Sequence, residues 1–182
     1  MKRGFILILS VIMILSSGIT AYAYVTYGGY VLTGGITSKS YYLDATGYWR
    51  NPYTNAFNNW YNTPTPFSFS ETTSLGSSKI DCYTYSSTSD NANGYTELYI
   101  PGSGLTGSIP SSDWSWAKIH LNTASLSSTT PSYDNGVAGH EIGHAIGLYH
   151  NLTADVLMNT AGGGRTVTTP QQDDINGINS LY

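Results

Sequence analysis

Eleven consecutive residues restrict this chain more than any other feature: His140-Glu141-Ile142-Gly143-His144-Ala145-Ile146-Gly147-Leu148-Tyr149-His150. They fit H-E-x-x-H-x-x-G-x-x-H at all five fixed positions. A chance match in a chain of this length has a probability on the order of 10⁻⁵, so the run is read as a site and not as coincidence. Residues four apart on a helix lie about 40° apart around its axis, so His140 and His144 share a face. Ala138, Ile142, Ala145 and Ile146 fall about 140° to 240° from His140, which puts an apolar stripe on the opposite face. Asp134 is the expected N-cap. Gly147 stands where a left-handed residue closes a helix, so the chain can turn sharply and return His150 to the other two histidines.

The residue types carry a chemical meaning. Three neutral imidazoles on Zn²⁺ leave a fourth position open for water, which is the catalytic arrangement and not the structural one. Glu141 lies about 100° around the helix from His140; it need not ligate and can take a proton from water beside the metal. Two blander readings compete: surface histidines on an amphipathic helix, and a zinc ion that only stabilises the fold. The first fits a lone H-x-x-x-H pair better than this five-point pattern, and the second has no use for Glu141.

The chain opens on Lys2 and Arg3, followed by an apolar run from Phe5 to Leu15 broken only by Ser10, and then by Ser16, Ser17 and Gly18. Ala21-Tyr22-Ala23 has the small-x-small form of a signal-peptidase site. The apolar run is shorter than the roughly 20 residues a membrane anchor needs, so residues 1–23 read as a secretory leader and 24–182 as the working domain. Cleavage would remove two of the 7 Lys and Arg and none of the 11 Asp and Glu. The resulting acidic chain has no basic stripe, which argues against a nucleic-acid partner. Only 10% of residues are charged, against about 25% in an average soluble domain, so polarity comes from Ser, Thr, Asn and 16 Tyr. One cysteine excludes a disulfide scaffold; Cys82 lies in a strand-like run and reads as a buried thiol.

Beyond the leader there are no repeats and no long linker, so one α+β domain is expected. Tyr24 to Tyr27 and Tyr41-Tyr42-Leu43 read as strands. Asn51-Pro52 starts a helix whose stripe is Ala56, Phe57, Trp60 and Tyr61. Residues 67–71, 80–85, 95–100 and 117–121 read as short strands, and the chain ends in another helix.

With these residues in view, the chain resembles the metzincin metalloproteases, and among them the matrixins most. Asp155-Val156-Leu157-Met158 follows the third histidine, and the eight-residue interval from His150 to Met158 looks like that of the matrixin Met-turn. By this resemblance Met158 supports the site from below without binding zinc. Tyr95-Thr96-Glu97-Leu98-Tyr99-Ile100-Pro101-Gly102 resembles the family's cleft-lining edge strand, which implies that Tyr95, Glu97, Leu98, Tyr99 and Ile100 pair with an extended substrate. Gln171 to Tyr182 is similar to the family's last helix, which implies that its first aspartate caps or braces the Met-turn; a solvated acidic helix start is the plainer reading. The resemblance implies a twisted, mostly parallel sheet with an antiparallel edge strand, an active-site helix and a C-terminal helix.

The departures matter as well. The pro-segment cysteine motif is absent. His120 stands near a structural-zinc ligand of the family, but no companion histidine exists, so it reads as an ordinary strand residue. Asn159-Thr160-Ala161-Gly162-Gly163-Gly164 replaces the Pro-x-Tyr wall of the specificity pocket, and Thr160 removes a tyrosine ligand of the astacin kind. Asp81, Asp90, Asp113 and Asp134 form no calcium-loop motif, so calcium remains open. The expectation is a secreted, monomeric zinc endopeptidase with one catalytic zinc, Glu141 as general base and no stable membrane anchor. The alternatives are a zinc-containing binding or inhibitor module that has lost turnover, and a hydrolase of cell-wall peptide cross-links.

Overall fold

The computed structural model describes residues 24–105, 109–152, 155–160 and 166–182; the expected leader lies outside them, as do Ala161 to Gly164 of the altered pocket wall. The chain runs β1 (Lys39–Leu43), α1 (Arg50–Tyr61), β2 (Phe69–Thr72), β3 (Ile80–Tyr85), β4 (Gly94–Ile100), β5 (Gly104–Leu105), β6 (Trp116–Asn122), α2 (Pro131–Ala145) and α3 (Gln172–Leu181). The strands form one sheet in the order β2-β1-β3-β6-β4-β5. β2, β1, β3 and β6 are mutually parallel, whereas β4 runs antiparallel to β6 and β5 antiparallel to β4. This is the α+β order read from the sequence, with the mostly parallel sheet that the family resemblance implies.

The helix-covered face of the sheet is set by strand parity. Tyr41, Leu43, Ile80, Cys82, Leu98, Ala117, Ile119 and Leu121 are buried in one cluster with residues of α1 and α2, as period-two alternation requires. Cys82 is fully buried there, and burial pushes its thiol pKa well above the ordinary value.

Helix α1 presents Tyr53, Ala56, Phe57 and Trp60 to the core, the i, i+3, i+4, i+7 spacing of a one-sided helix. Phe57 stacks on Tyr41 with ring centroids 3.8 Å apart. The Tyr53 hydroxyl donates to the Tyr83 carbonyl at 2.6 Å, which ties the helix to β3. Tyr61 does not belong to the stripe and is 60% exposed. It lies about 80° around the helix from Tyr53, and Tyr53 takes its place.

Two further expectations change. Tyr24 to Tyr27 is not a strand: it contributes a single bridge, Thr26 to Leu148. Its job is covering instead, with Tyr27 buried edge-on against Trp114 at 5.9 Å. At the end of the sheet β5 pairs with Tyr99 and Ile100 of β4. Among the described residues, the part of β4 without a strand on that side is therefore Gly94–Leu98, shorter than expected.

Candidate metal and catalytic site

Helix α2 starts four residues earlier than Asp134 suggests. Thr130 is the N-cap, its hydroxyl accepting from the Tyr133 backbone N–H at 3.3 Å, and Pro131 occupies the first turn, where its missing N–H does no harm. Asp134 is 1% exposed and accepts from the Tyr48 hydroxyl at 2.5 Å and from the Thr129 hydroxyl. It anchors the helix start to neighbouring loops without capping it.

The other end follows the expected chemistry. Gly147 has φ +112°. Its N–H donates to the His144 carbonyl at 3.1 Å, while the Leu148 N–H donates to the Gly143 carbonyl at 2.9 Å. That pair of bonds is a Schellman closure. It reverses the chain and carries His150 back towards the helix. The α2 surface is not simply amphipathic, because every residue from Gly136 to Ala145 is buried. Glycines thin the side facing α1: a Cβ on Gly139 would touch Leu157 and Ala56, and one on Gly143 would lie 2.3 Å from the Met158 sulfur.

The three histidines converge. Their candidate ligand atoms all lie within 4.8 Å of one another, and His144 Nε2 is 3.1 Å from His150 Nε2. His140 and His144 are 4% and 7% exposed. His140 Nδ1 lies 2.8 Å from the Leu157 carbonyl, and His144 Nδ1 lies 2.8 Å from the Leu148 carbonyl. A carbonyl only accepts, so both Nδ1 atoms carry a proton, and in the neutral ring each Nε2 is left with its lone pair for a metal. The Tyr27 hydroxyl, 3.2 Å from His144 Nδ1, buttresses the same ring. Two imidazole nitrogens 3.1 Å apart either share one proton or face a common cation, and neutral imidazoles anchored through Nδ1 are the usual donor set for zinc. The residues present fit that ion.

The Leu157–Met158 turn, whose Leu157 carbonyl meets His140, is held from two sides. Met158 is 2% exposed, and its carbonyl accepts from the Asn151 N–H at 2.8 Å. Asp174 accepts from the backbone N–H groups of Leu157 at 2.9 Å, Met158 at 3.2 Å and Gln171 at 2.8 Å. The brace is thus the second aspartate of α3 and not the first. Asp173 turns instead to the His150 loop, accepting from Asn151 Nδ2 at 2.6 Å.

Glu141 is 5% exposed and faces β4. Beside it, His140 and His150 a cleft of about 240 Å³ opens, bounded also by Asn91, Asn93, Gly94, Val137 and Thr160. The Thr96 hydroxyl is 2.8 Å from Glu141 Oε2 and 3.0 Å from the Glu141 carbonyl oxygen. Of the expected edge residues, Tyr95, Glu97 and Tyr99 point to the opposite sheet face. There Tyr95 stacks on His120 at 4.5 Å, and His120 Nε2 lies 3.4 Å from Glu97. Only Leu98 and Ile100 share the face of Thr96. Sequence reading missed Thr96, Tyr27 and Asp174. Strand parity could have flagged Thr96 as a polar residue in line with Leu98 and Ile100.

Comparison with known proteins gives a concordant picture. Residues 32–182 match the family model described as Matrixin. Stromelysin-1 of Equus caballus is 48% identical over 50 residues, covering 25% of this chain and 10% of that protein. Stromelysin-1 of Mus musculus is 45% identical over 49 residues, again 25% of this chain and 10% of that protein. Metalloendoproteinase 5-MMP of Arabidopsis thaliana is 40% identical over 72 residues, 38% of this chain and 20% of that protein. The chain thus spans between a tenth and a fifth of the length of these relatives.

Proposed function

The chain belongs to the matrixin family, and from that premise we propose that it is a zinc-dependent endopeptidase acting on extended protein or peptide segments. The observation that carries this reading is the convergence of His140, His144 and His150, with Glu141 beside them and open to the same cleft. Zinc held by the three imidazoles supplies Lewis acidity, which polarises a carbonyl and makes water easier to deprotonate. Glu141 accepts a proton from the attacking water and returns it to the departing amine nitrogen, so that no covalent enzyme intermediate forms. Leu157 and Leu148 hold the His140 and His144 rings through their carbonyls, and we read the buried Met158, whose sulfur lies against Gly143 of α2, as the support of the site that the family resemblance implies. Among the described residues Gly94–Leu98 of β4 has no strand on its outer side, and this edge would offer main-chain groups to an extended substrate.

Secretion after cleavage behind Ala23 completes the proposal, supported by the leader-like sequence of residues 1–23. Among the described residues no helix is long and apolar enough to cross a membrane.

The test is Glu141→Gln, purified with zinc bound and assayed on casein or gelatin. A fall of about 10²-fold or more is expected for loss of a general base; activity near the wild-type rate refutes the role. A wild-type protein that binds one zinc yet cleaves nothing in a broad peptide library would make the chain a binding module. Cleavage of purified peptidoglycan but not of denatured protein would make it a cell-wall peptide hydrolase.

A further inference from the structure

Glu141 is held by β4 at two points. At Gly94 the strand passes so close that a Cβ would sit 3.2 Å from Glu141 Cγ and 2.9 Å from the His120 carbonyl oxygen. Glycine is therefore the residue that lets the strand lie against the methylene part of the side chain. Two residues on, and on the same face of the strand, the Thr96 hydroxyl reaches both Glu141 Oε2, at 2.8 Å, and the Glu141 carbonyl oxygen, at 3.0 Å. A threonine hydroxyl has one hydrogen and two lone pairs, so it can donate to either oxygen. Contact with both ends of one residue ties the carboxylate back to its own main chain. Thr96 is also chemically out of place: Leu98 shares its face and is buried in the core. A hydroxyl on such a face is retained where it has a partner.

We propose that Thr96 is a positioning residue for Glu141, fixing the carboxylate in one rotamer towards the cleft beside His140 and His150. This rests on the reading of Glu141 as general base. β4 would then serve the site twice. Its edge pairs with substrate, and its helix-facing side seats the base. Positioning of this kind acts on the reacting geometry and not on substrate affinity.

The experiment compares Thr96→Val, which keeps the β-branched shape without the hydroxyl, with Thr96→Ser, which keeps the hydroxyl. Both are made in the full chain, loaded with zinc and assayed on a quenched fluorescent peptide alongside zinc content and thermal midpoint. Thr96→Val is expected to lower kcat about tenfold or more, with KM within about twofold and with zinc content and midpoint close to wild type. Thr96→Ser is expected to recover most of the loss. Wild-type kcat in the valine variant overturns the proposal, as does a serine variant as impaired as valine. A loss that tracks a fall in zinc content or midpoint also overturns it, because that marks a structural tie. Crystal structures of wild type and the valine variant give a readout independent of turnover. Glu141 should occupy one rotamer in the first and more than one in the second, and an unchanged single rotamer refutes positioning. If wild type cleaves nothing, the endopeptidase reading fails and takes this proposal with it; if wild type cleaves and valine changes nothing, only the positioning role fails.

Discussion

Asp174 joins the fold to the site, and its removal has a magnitude that can be worked out. Its carboxylate is 3% exposed. Oδ2 accepts from both Leu157 N and Gln171 N, while Oδ1 accepts from Met158 N. Asp174→Ala strands three backbone donors. A hydrogen bond to a charged partner contributes roughly 1.5–3 kcal/mol, but the three share one carboxylate and removal also relieves a buried charge, so about 3–4 kcal/mol net is expected. Asp174→Asn can keep its oxygen at the Oδ2 position and retain Leu157 and Gln171. Its amide NH₂ then faces the Met158 N–H, donor against donor, for a loss of about 1–2 kcal/mol. Urea unfolding at pH 7 measures both as midpoint shifts with unchanged slope. Against a typical total of roughly 5–15 kcal/mol, the alanine change is severe; should it prevent folding, the asparagine variant carries the test. The Leu157 carbonyl in the same turn orients His140, so zinc affinity should fall with stability, by about 10- to 100-fold as for other groups that orient ligands. Burial raises the Asp174 pKa above the ordinary carboxylate value, outweighing the bonds from Gln171, Leu157 and Met158 that lower it. Because the folded value is the higher one, this contribution is complete below the unfolded pKa and is lost as pH rises through the folded pKa. The stability gap between wild type and Asp174→Asn in chelator should therefore widen as pH falls from 7 towards 4. Equal losses for alanine and asparagine, an alanine loss below about 1 kcal/mol, or zinc affinity unchanged within twofold would refute the brace.

Two other perturbations have defined outcomes. In Gly143→Ala the new Cβ lies 2.3 Å from the Met158 sulfur and 3.5 Å from Trp60, so overpacking of about 1–3 kcal/mol is expected; a cycle with Met158→Ala should show coupling of about 1 kcal/mol, and simple additivity would refute the contact. His120 is packed between the Tyr83 and Tyr95 rings, and burial lowers its pKa despite the opposing pull of Glu97. Its contribution is thus full above the ordinary imidazole value and lost as pH falls through the lower folded one. Subtracting the His120→Phe stability curve from that of wild type should give a difference that declines below about pH 6.5, and a flat difference refutes it.

What could be read in advance depended on how far apart in sequence the causes lie. The α2 motif was legible because its geometry is local: His140, His144 and Gly147 act within two helical turns, and Gly147 alone dictates the reversal that returns His150. Even the misplaced N-cap was a local error, since Thr130-Pro131 stood in view four residues before Asp134 and is the stronger start signal. Tyr61 and Tyr53 show the next limit, because periodicity gives a stripe but not its centre, and the centre is set by where Tyr41 and Tyr83 meet the helix. The two aspartates of α3 mark a harder one. Adjacent acidic residues are equivalent until the helix start docks on the turn at Leu157, 17 residues upstream of Asp174. Thr96 lies at the far end of this scale. Parity alone turns it inward with Leu98. That inward means Glu141 depends on the β4–β6 register, which pairs Thr96 with Ile119, and on α2 crossing the sheet at that height, 45 residues away in sequence. A single hydroxyl whose partner is fixed by two such long-range alignments leaves no periodic trace, so the residues that tune a site are harder to read than those that bind its metal.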